Sequence, residues 1–344
     1  MSVTHHQHSV LLDQVFSLIN DKVDAKESSK VIQFGNLLLK TMSFDDLDGR
    51  NDSDLYGAIL SLWHLLQSKK NGEPSIKVFN PEIAKHGWQS SHTVIQIIVD
   101  DVPFLVDSIK MAINRLNITT HLMLHAPMHF TRDSRGKVGG FVEKSERSEK
   151  HHSETAFLIE IDRQSRPDFV KELTAELHSV VSEVSLSVAD WQQMREKLTQ
   201  ITKNFDKSKS KASAEVKSQS KTFLNWLNDH NFTLMGYRYY SVKAIEGDHR
   251  WCPVDDSSLG LMKNSVSARE RLLSNVPTSA RNEALSSNLL MLTKTSSKSR
   301  VHRPAYMDYI GIKEFDNKGN VCAEHRFLGL YSASFYNSSA TDLP

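Results

Sequence analysis

Between Thr93 and Leu116 the hydrophobic pattern changes period, and that change limits the folds open to the chain. Thr93 to Val99 is β-rich and apolar on both faces, as a central strand is. The turn Asp100-Asp101-Val102-Pro103-Phe104 follows, and Leu105, Ile109, Ala112, Ile113 and Leu116 then recur at helical spacing. The next stretch alternates. Ile118, Leu122, Leu124, Ala126, Met128 and Phe130 share one parity, and His121, Met123, His125 and His129 the other. Asp133 to Gly136 is a turn, Gly139 to Val142 starts a returning strand, and Glu143 to His152 is a charged insertion. Thr155 to Ile161 is a further strand, and Phe169, Leu173, Leu177 and Val180 mark a second helix starting near Ser165. Val184, Leu186 and Val188 alternate with serines as a short last strand. The order β-α-β-β-α-β over 92–190 predicts a ferredoxin-like α+β domain.

The flanks differ in character. Residues 1–85 predict a helical segment, with Ser53-Asp54 capping the apolar face Leu55, Ala58, Ile59, Leu62, Leu65 and Leu66. Residues 191–230 predict a helical linker, whose run Lys203 to Lys221 is rich in Lys and Ser and reads as a connector or a solvated helix. Residues 231–336 predict a second antiparallel α+β domain. Its strands are expected at Phe232 to Val242, Leu259 to Met262, Asn288 to Thr293, Tyr306 to Glu314 and Val321 to Tyr331, with helices between the second and third. Asp316-Asn317-Lys318-Gly319 is the hairpin turn joining the last two. Two strands, helices, then three antiparallel strands is a PAS-like order. Residues 337–344 read as the start of an interdomain linker.

Composition removes several classes of function. With 42 Lys+Arg against 41 Asp+Glu, the formal charge of +1 supplies no field that would draw the chain to nucleic acid or an anionic membrane. No apolar run approaches the ~20 residues of a membrane span, and His5, His6 and His8 stand where a signal peptide would be apolar, so a floppy N-terminus and a cytoplasmic protein are expected. Two cysteines, Cys252 and Cys322, make no disulfide scaffold and lack Cys-X-X-Cys spacing. The 14 glycines never form Gly-X-Gly, which leaves no Rossmann or Walker fingerprint. His121, His125 and His129 lie about 13 Å apart from one to the next on a strand, too far to share an ion with ~2.0 Å bonds. No catalytic, cofactor-binding or metal-ligating residue is therefore assigned.

Two sites remain. In the turn, Asp100, Asp101, Phe104 and Asp107 surround a helix start. There the backbone N–H groups can face an amino acid's carboxylate while Asp100 or Asp101 meets its ammonium. The simpler reading is a cap, with Asp101 satisfying the helix start and Pro103 in its first turn. Arg300, Arg303 and Asp308 form a polar cluster that would recognise an anion or a partner, or in which Arg303 would simply pair with Asp308 or a helix end.

The segment from Asp101 to Leu122 resembles the Asp-X-Pro-Gly-Leu-Leu pattern of ACT domains, ferredoxin-like modules that bind amino acids and regulate attached enzymes. More closely, the chain resembles the N-terminal region of the large bacterial NAD-specific glutamate dehydrogenases. Asp54 to Trp63, Asp100 to Ser108, Ile159 to Ser165, Ala189 to Trp191, Asn231 to Arg238, Arg303 to Gly311 and Phe327 to Tyr331 carry that likeness in order. The resemblance implies a regulatory and assembly arm whose parent oxidises glutamate to 2-oxoglutarate with NAD in a catalytic domain absent here. It implies the rest of the parent chain and an amino-acid effector as partners, while the exposed sheet edges of a ferredoxin-like domain lead to a homo-oligomer; the alternative function is a free-standing ACT-type amino-acid-sensing module. Phe104 stands where those ACT turns carry glycine. It is expected to plug the site or dock on a neighbouring domain, which puts the cap first and amino-acid sensing second.

Overall fold

The computed structural model describes residues 3–148, 150–245, 248–263 and 270–332, and the expected linker start at 337–344 lies outside them. The protein is α+β and divides into two compact units, Met1–Val181 and Ser182–Pro344.

The first unit comprises α1 (Val3–Lys22), α2 (Ala25–Leu39), α3 (Phe44–Leu47), α4 (Asp52–Ser68), β1 (Ser75–Phe79), α5 (Ile83–His86), β2 (Thr93–Asp100), α6 (Leu105–Arg115), β3 (Thr120–Arg132), β4 (Val138–Val142) and β5 (His152–Ile161). α7 (Pro167–Ala189) begins in this unit and crosses the division. Five strands lie in the order β1-β2-β5-β3-β4, every neighbour antiparallel. This is the ferredoxin-like arrangement with one substitution. The place beside β2 expected for a last strand is taken by β1, while Val184, Leu186 and Val188 lie on α7. The alternation with serine misled, because Val180, Val184 and Ser187 also satisfy helical spacing, and all three are buried.

The helices expected over 1–85 and the sheet share a core. Val15, Ile19, Phe34, Leu38, Ile59, Leu62, Trp63 and Leu66 form one cluster with Val94, Ile98, Leu122, Leu124, Met128, Phe130 and Leu158 on one sheet face. α1 is helical from Val3, so the backbone of His5 to His8 belongs to a helix rather than a loose tail. Asn51, not Ser53, caps α4, its side chain accepting from Asp54 N at 2.7 Å.

Gly57 in α4 allows a close approach. A Cβ there would stand 2.4 Å from Cβ and Cγ of the buried Trp88. Gly57→Ala would gain about 1 kcal/mol of helix propensity and meet overpacking of about 1–3 kcal/mol. A lowered melting midpoint is expected; a raised one would show that Trp88 yields without cost.

The second unit contains α8 (Trp191–Asn204), α9 (Ala214–Trp226), β6 (Phe232–Ile245), β7 (Asp248–Pro253), β8 (Leu259–Gly260), β9 (Arg271–Leu272), α10 (Thr278–Leu285), β10 (Leu290–Lys298), β11 (Tyr306–Phe315) and β12 (Val321–Tyr331). The sheet order is β10-β11-β12-β6-β7-β9, with β8 on β6. Strand β7, absent from the sequence reading, pairs with β6 through Tyr240↔Pro253 to Ile245↔Asp248. The turn after β11 closes as expected, Gly319 N donating to Asp316 O at 3.0 Å. The residues read as a linker belong to this core: Met194, Leu198, Phe205, Leu224 and Leu227 cluster with Phe232, Leu234, Ile310, Ile312 and Phe327.

Candidate functional site

The acidic turn does not close as a side-chain cap. The N-cap of α6 is Phe104, with no side-chain hydrogen bond to the helix start. Asp101 instead donates its backbone N–H to Ser153 O at 2.9 Å, and Pro103 lies before the helix. Phe104 has φ 74° and ψ −2°, the left-handed conformation that glycine adopts freely. The turn therefore keeps the backbone of the glycine pattern and adds a ring, which is half-buried rather than fully packed away. Its carbonyl accepts from Ser108 N at 3.0 Å and from Ser108 Oγ at 2.7 Å. Left-handed geometry costs a non-glycine residue about 1–2 kcal/mol. Of two truncations, Phe104→Gly should thus be more stable than Phe104→Ala by about 1 kcal/mol in chemical denaturation; equal midpoints would mean the turn relaxes.

Asp100 has a structural partner. Lys69 Nζ lies 2.9 Å from Asp100 Oδ1 and 3.4 Å from Glu154 Oε1. Arg132 reaches Glu154 at 2.8 Å and donates to Gly136 O at 2.7 Å and Leu66 O at 3.3 Å. The side chains of Lys69 and Glu154 are 1% exposed and that of Arg132 5%. Two cations and two carboxylates thus tie the end of α4 to the ends of β2, β3 and β5. Asp107, in the first turn of α6, is exposed.

Two cavities flank the first sheet. One, of about 640 Å³, is lined by Asp101 together with Asn36, Lys40, Met128, His129 and Arg147. It carries both signs of charge over an apolar floor and lies in the size range of small-molecule sites. The other, of about 360 Å³, contains Arg50, Asp54, His92, His121 and Glu160. Arg50 donates to both oxygens of Glu160, at 2.9 and 2.7 Å, and this bond to Glu160 holds its guanidinium above its ordinary pKa. The rings of His92 and His121 lie 4.3 Å apart. His121 bonds Asp162 at 2.8 Å, holding that carboxyl below its usual range. Here the strongest charges already pair with one another. No group of three or more His, Cys, Asp or Glu that could hold a metal occurs among the described residues.

In the second unit, Tyr237 OH lies 2.9 Å from His325 Nδ1, His325 Nε2 2.8 Å from Glu314 Oε1, and Tyr239 OH donates to Glu314 Oε2 at 2.8 Å. The bond to His325 is the main cause holding the Glu314 carboxyl below its usual range, and burial drives both tyrosine hydroxyls up. A carboxylate with a lowered folded pKa stabilises fully above its unfolded value of about 4.3, and that contribution is lost as pH falls through the lower folded value. Glu314→Gln should therefore flatten the fall in stability below about pH 5; an unchanged acid slope would contradict the assignment. Burial raises both cysteine thiols, which argues against a nucleophile.

The described contacts of Arg300, Arg303 and Asp308 go to different groups. Arg300 pairs with Glu183 at 2.5 Å, Arg303 donates to Tyr331 O, and Asp308 pairs with Lys294 at 2.5 Å instead of with Arg303. Sequence reasoning passed over Glu154, Glu160, Arg238, Glu324 and Arg326, all on strands and, apart from Arg326, all buried. A charge inside an expected strand was the available signal.

The ferredoxin-like sheet, its left-handed turn and the flanking cavities define an ACT-type domain within a larger α+β chain. Residues 34–177 match the family described as "Glutamate dehydrogenase, ACT1 domain". The chain is 32% identical over 336 residues to the NAD-specific glutamate dehydrogenase of Halomonas elongata, covering 97% of this chain and 21% of that protein. It is 34% identical over 323 residues to that of Pseudomonas aeruginosa (93% of this chain, 20% of the relative) and 23% identical over 253 residues to that of Mycobacterium tuberculosis (73% and 14%). The chain belongs to the ACT-containing region of the NAD-specific glutamate dehydrogenase family, and spans about a fifth of the length of the first two relatives. No helix among the described residues is long and apolar enough to cross a membrane.

Proposed function

We propose that this chain is the non-catalytic, N-terminal regulatory and assembly portion of a cytoplasmic NAD-specific glutamate dehydrogenase. The parent would convert L-glutamate and NAD to 2-oxoglutarate, ammonia and NADH in a domain outside these residues. The observation that carries this reading is the ACT1 match over 34–177 in a chain that aligns nearly end to end with a fifth of its relatives. The β2–α6 turn does not fit a dinucleotide. At the β2–α6 turn, where a pyrophosphate would need close backbone approach, Phe104 places a Cβ and a ring. The second unit's five longest strands run β7-β6-β12-β11-β10, which supports a PAS-like reading. Its partners would be the remaining domains of the parent and further copies of the chain.

Excising the equivalent residues from a full-length relative should leave NAD binding intact while changing assembly mass or effector response. Loss of NAD binding would place these residues in the catalytic machinery. A second reading, an amino-acid sensor, is favoured by the 640 Å³ cavity, whose lining offers Asp101 to an ammonium group and Lys40 and Arg147 to a carboxylate. Calorimetric titration with the twenty amino acids should then give heat with at least one, abolished in Asp101→Ala; silence with all twenty would remove the sensor.

A further inference from the structure

We infer that one face of the second sheet is a binding site for a small monocarboxylate, held by Arg326 and Trp251 next to Arg238. Arg326 of β12 and Arg238 of β6 are direct cross-strand partners, so two guanidinium groups share one face. Like charges placed opposite in a sheet repel, and buried charges are normally paired. Arg238 is 1% exposed, yet its hydrogen bonds go to neutral oxygens: Ser258 Oγ at 2.7 Å, Tyr240 OH at 3.3 Å, and Met262 O. The carboxylate beside them is Glu324, fully buried, which accepts from Arg326 Nη2 at 3.1 Å and from Tyr309 OH. Lys313, the buried cross-strand partner of Glu324, has Glu283 at 4.0 Å, so the two guanidiniums against Glu324 leave a net positive charge on this face.

The donors for a counter-anion are in place. Arg326 Nε and Trp251 Nε1 are buried and have no hydrogen-bond partner. The guanidinium of Arg326 lies 4.0 Å from the ring centre of Tyr240, 5.5 Å from that of Trp251 and 5.4 Å from that of Tyr309, so the indole and the guanidinium adjoin. The Arg326 side chain is 20% exposed, which leaves a way in. Gly311 keeps the floor open to Glu324, whose Oε1 would stand 2.3 Å from a Cβ at that position. A carboxylate's two oxygens can accept from the guanidinium edge and the indole N–H together. One negative charge balances the face, whereas a phosphate dianion would overshoot and crowd Glu324. This site does not depend on the dehydrogenase reading, and its failure would leave that reading standing.

The test is the indole N–H signal of Trp251 in the whole chain, identified by its loss in Trp251→Phe. Titration with sodium acetate should move it saturably, sodium chloride at equal ionic strength should not, and Arg326→Lys should weaken acetate binding roughly tenfold or more. No saturable movement with acetate, tighter saturation by phosphate, or an unchanged acetate curve in Arg326→Lys would each overturn the site. Should Arg326→Lys not fold, the titration of the natural chain decides alone.

Discussion

Glu154→Ala is expected to lower the stability of the first unit by about 3–5 kcal/mol, the range for removing one member of a buried charge set. Its carboxylate, 1% exposed, takes three donor contacts from Arg132 and an ionic contact from Lys69. Without it, Arg132 keeps the carbonyl oxygens of Leu66 and Gly136 and the Phe130 ring 5.0 Å away, and Lys69 keeps Asp100, which is half open to water. Glu154→Gln keeps shape and one acceptor and should recover part of the loss. Urea unfolding of the three proteins measures this. A cost below about 1 kcal/mol, the level of an exposed pair, would mean that the set is solvated.

Trp63→Ala should cost a similar amount, about 3–5 kcal/mol. Trp63 is 1% exposed, with ring centres 5.7 Å from Phe34 of α2 and 6.3 Å from Phe141 of β4. The prediction concerns organisation as well as packing. Because α2, α4 and the sheet share that cluster, the helical and β signals of the first unit should lose stability together. Loss confined to the helices, with sheet amides still protected from exchange, would show that residues 1–85 fold apart from the sheet.

Much of this architecture was legible where local chemistry and tertiary environment agree. Thr93 to Val99 and the alternation through Phe130 are β2 and β3, and Asp316 to Gly319 is the turn expected. Elements were missed where context overrode pattern. Strand β7, His249-Arg250-Trp251-Cys252 at its centre, is stabilised by its pairing with β6, which no local period reveals. The end of α7 alternates like a strand because Ser185 and Ser187 fall between Val184, Leu186 and Val188, although its buried positions Val180, Val184 and Ser187 keep helical spacing. The turn after β2 was legible as a turn, but its contacts were not. The turn was found, and its glycine-like position keeps left-handed geometry at Phe104. That Asp100 would be taken by Lys69, 31 residues earlier, depends on contacts distant in sequence.

The regulatory reading is tested most directly by following NADH absorbance after the purified chain is mixed with L-glutamate and NAD. No glutamate-dependent rise is expected at any protein concentration. Reproducible turnover that scales with the chain would contradict the account.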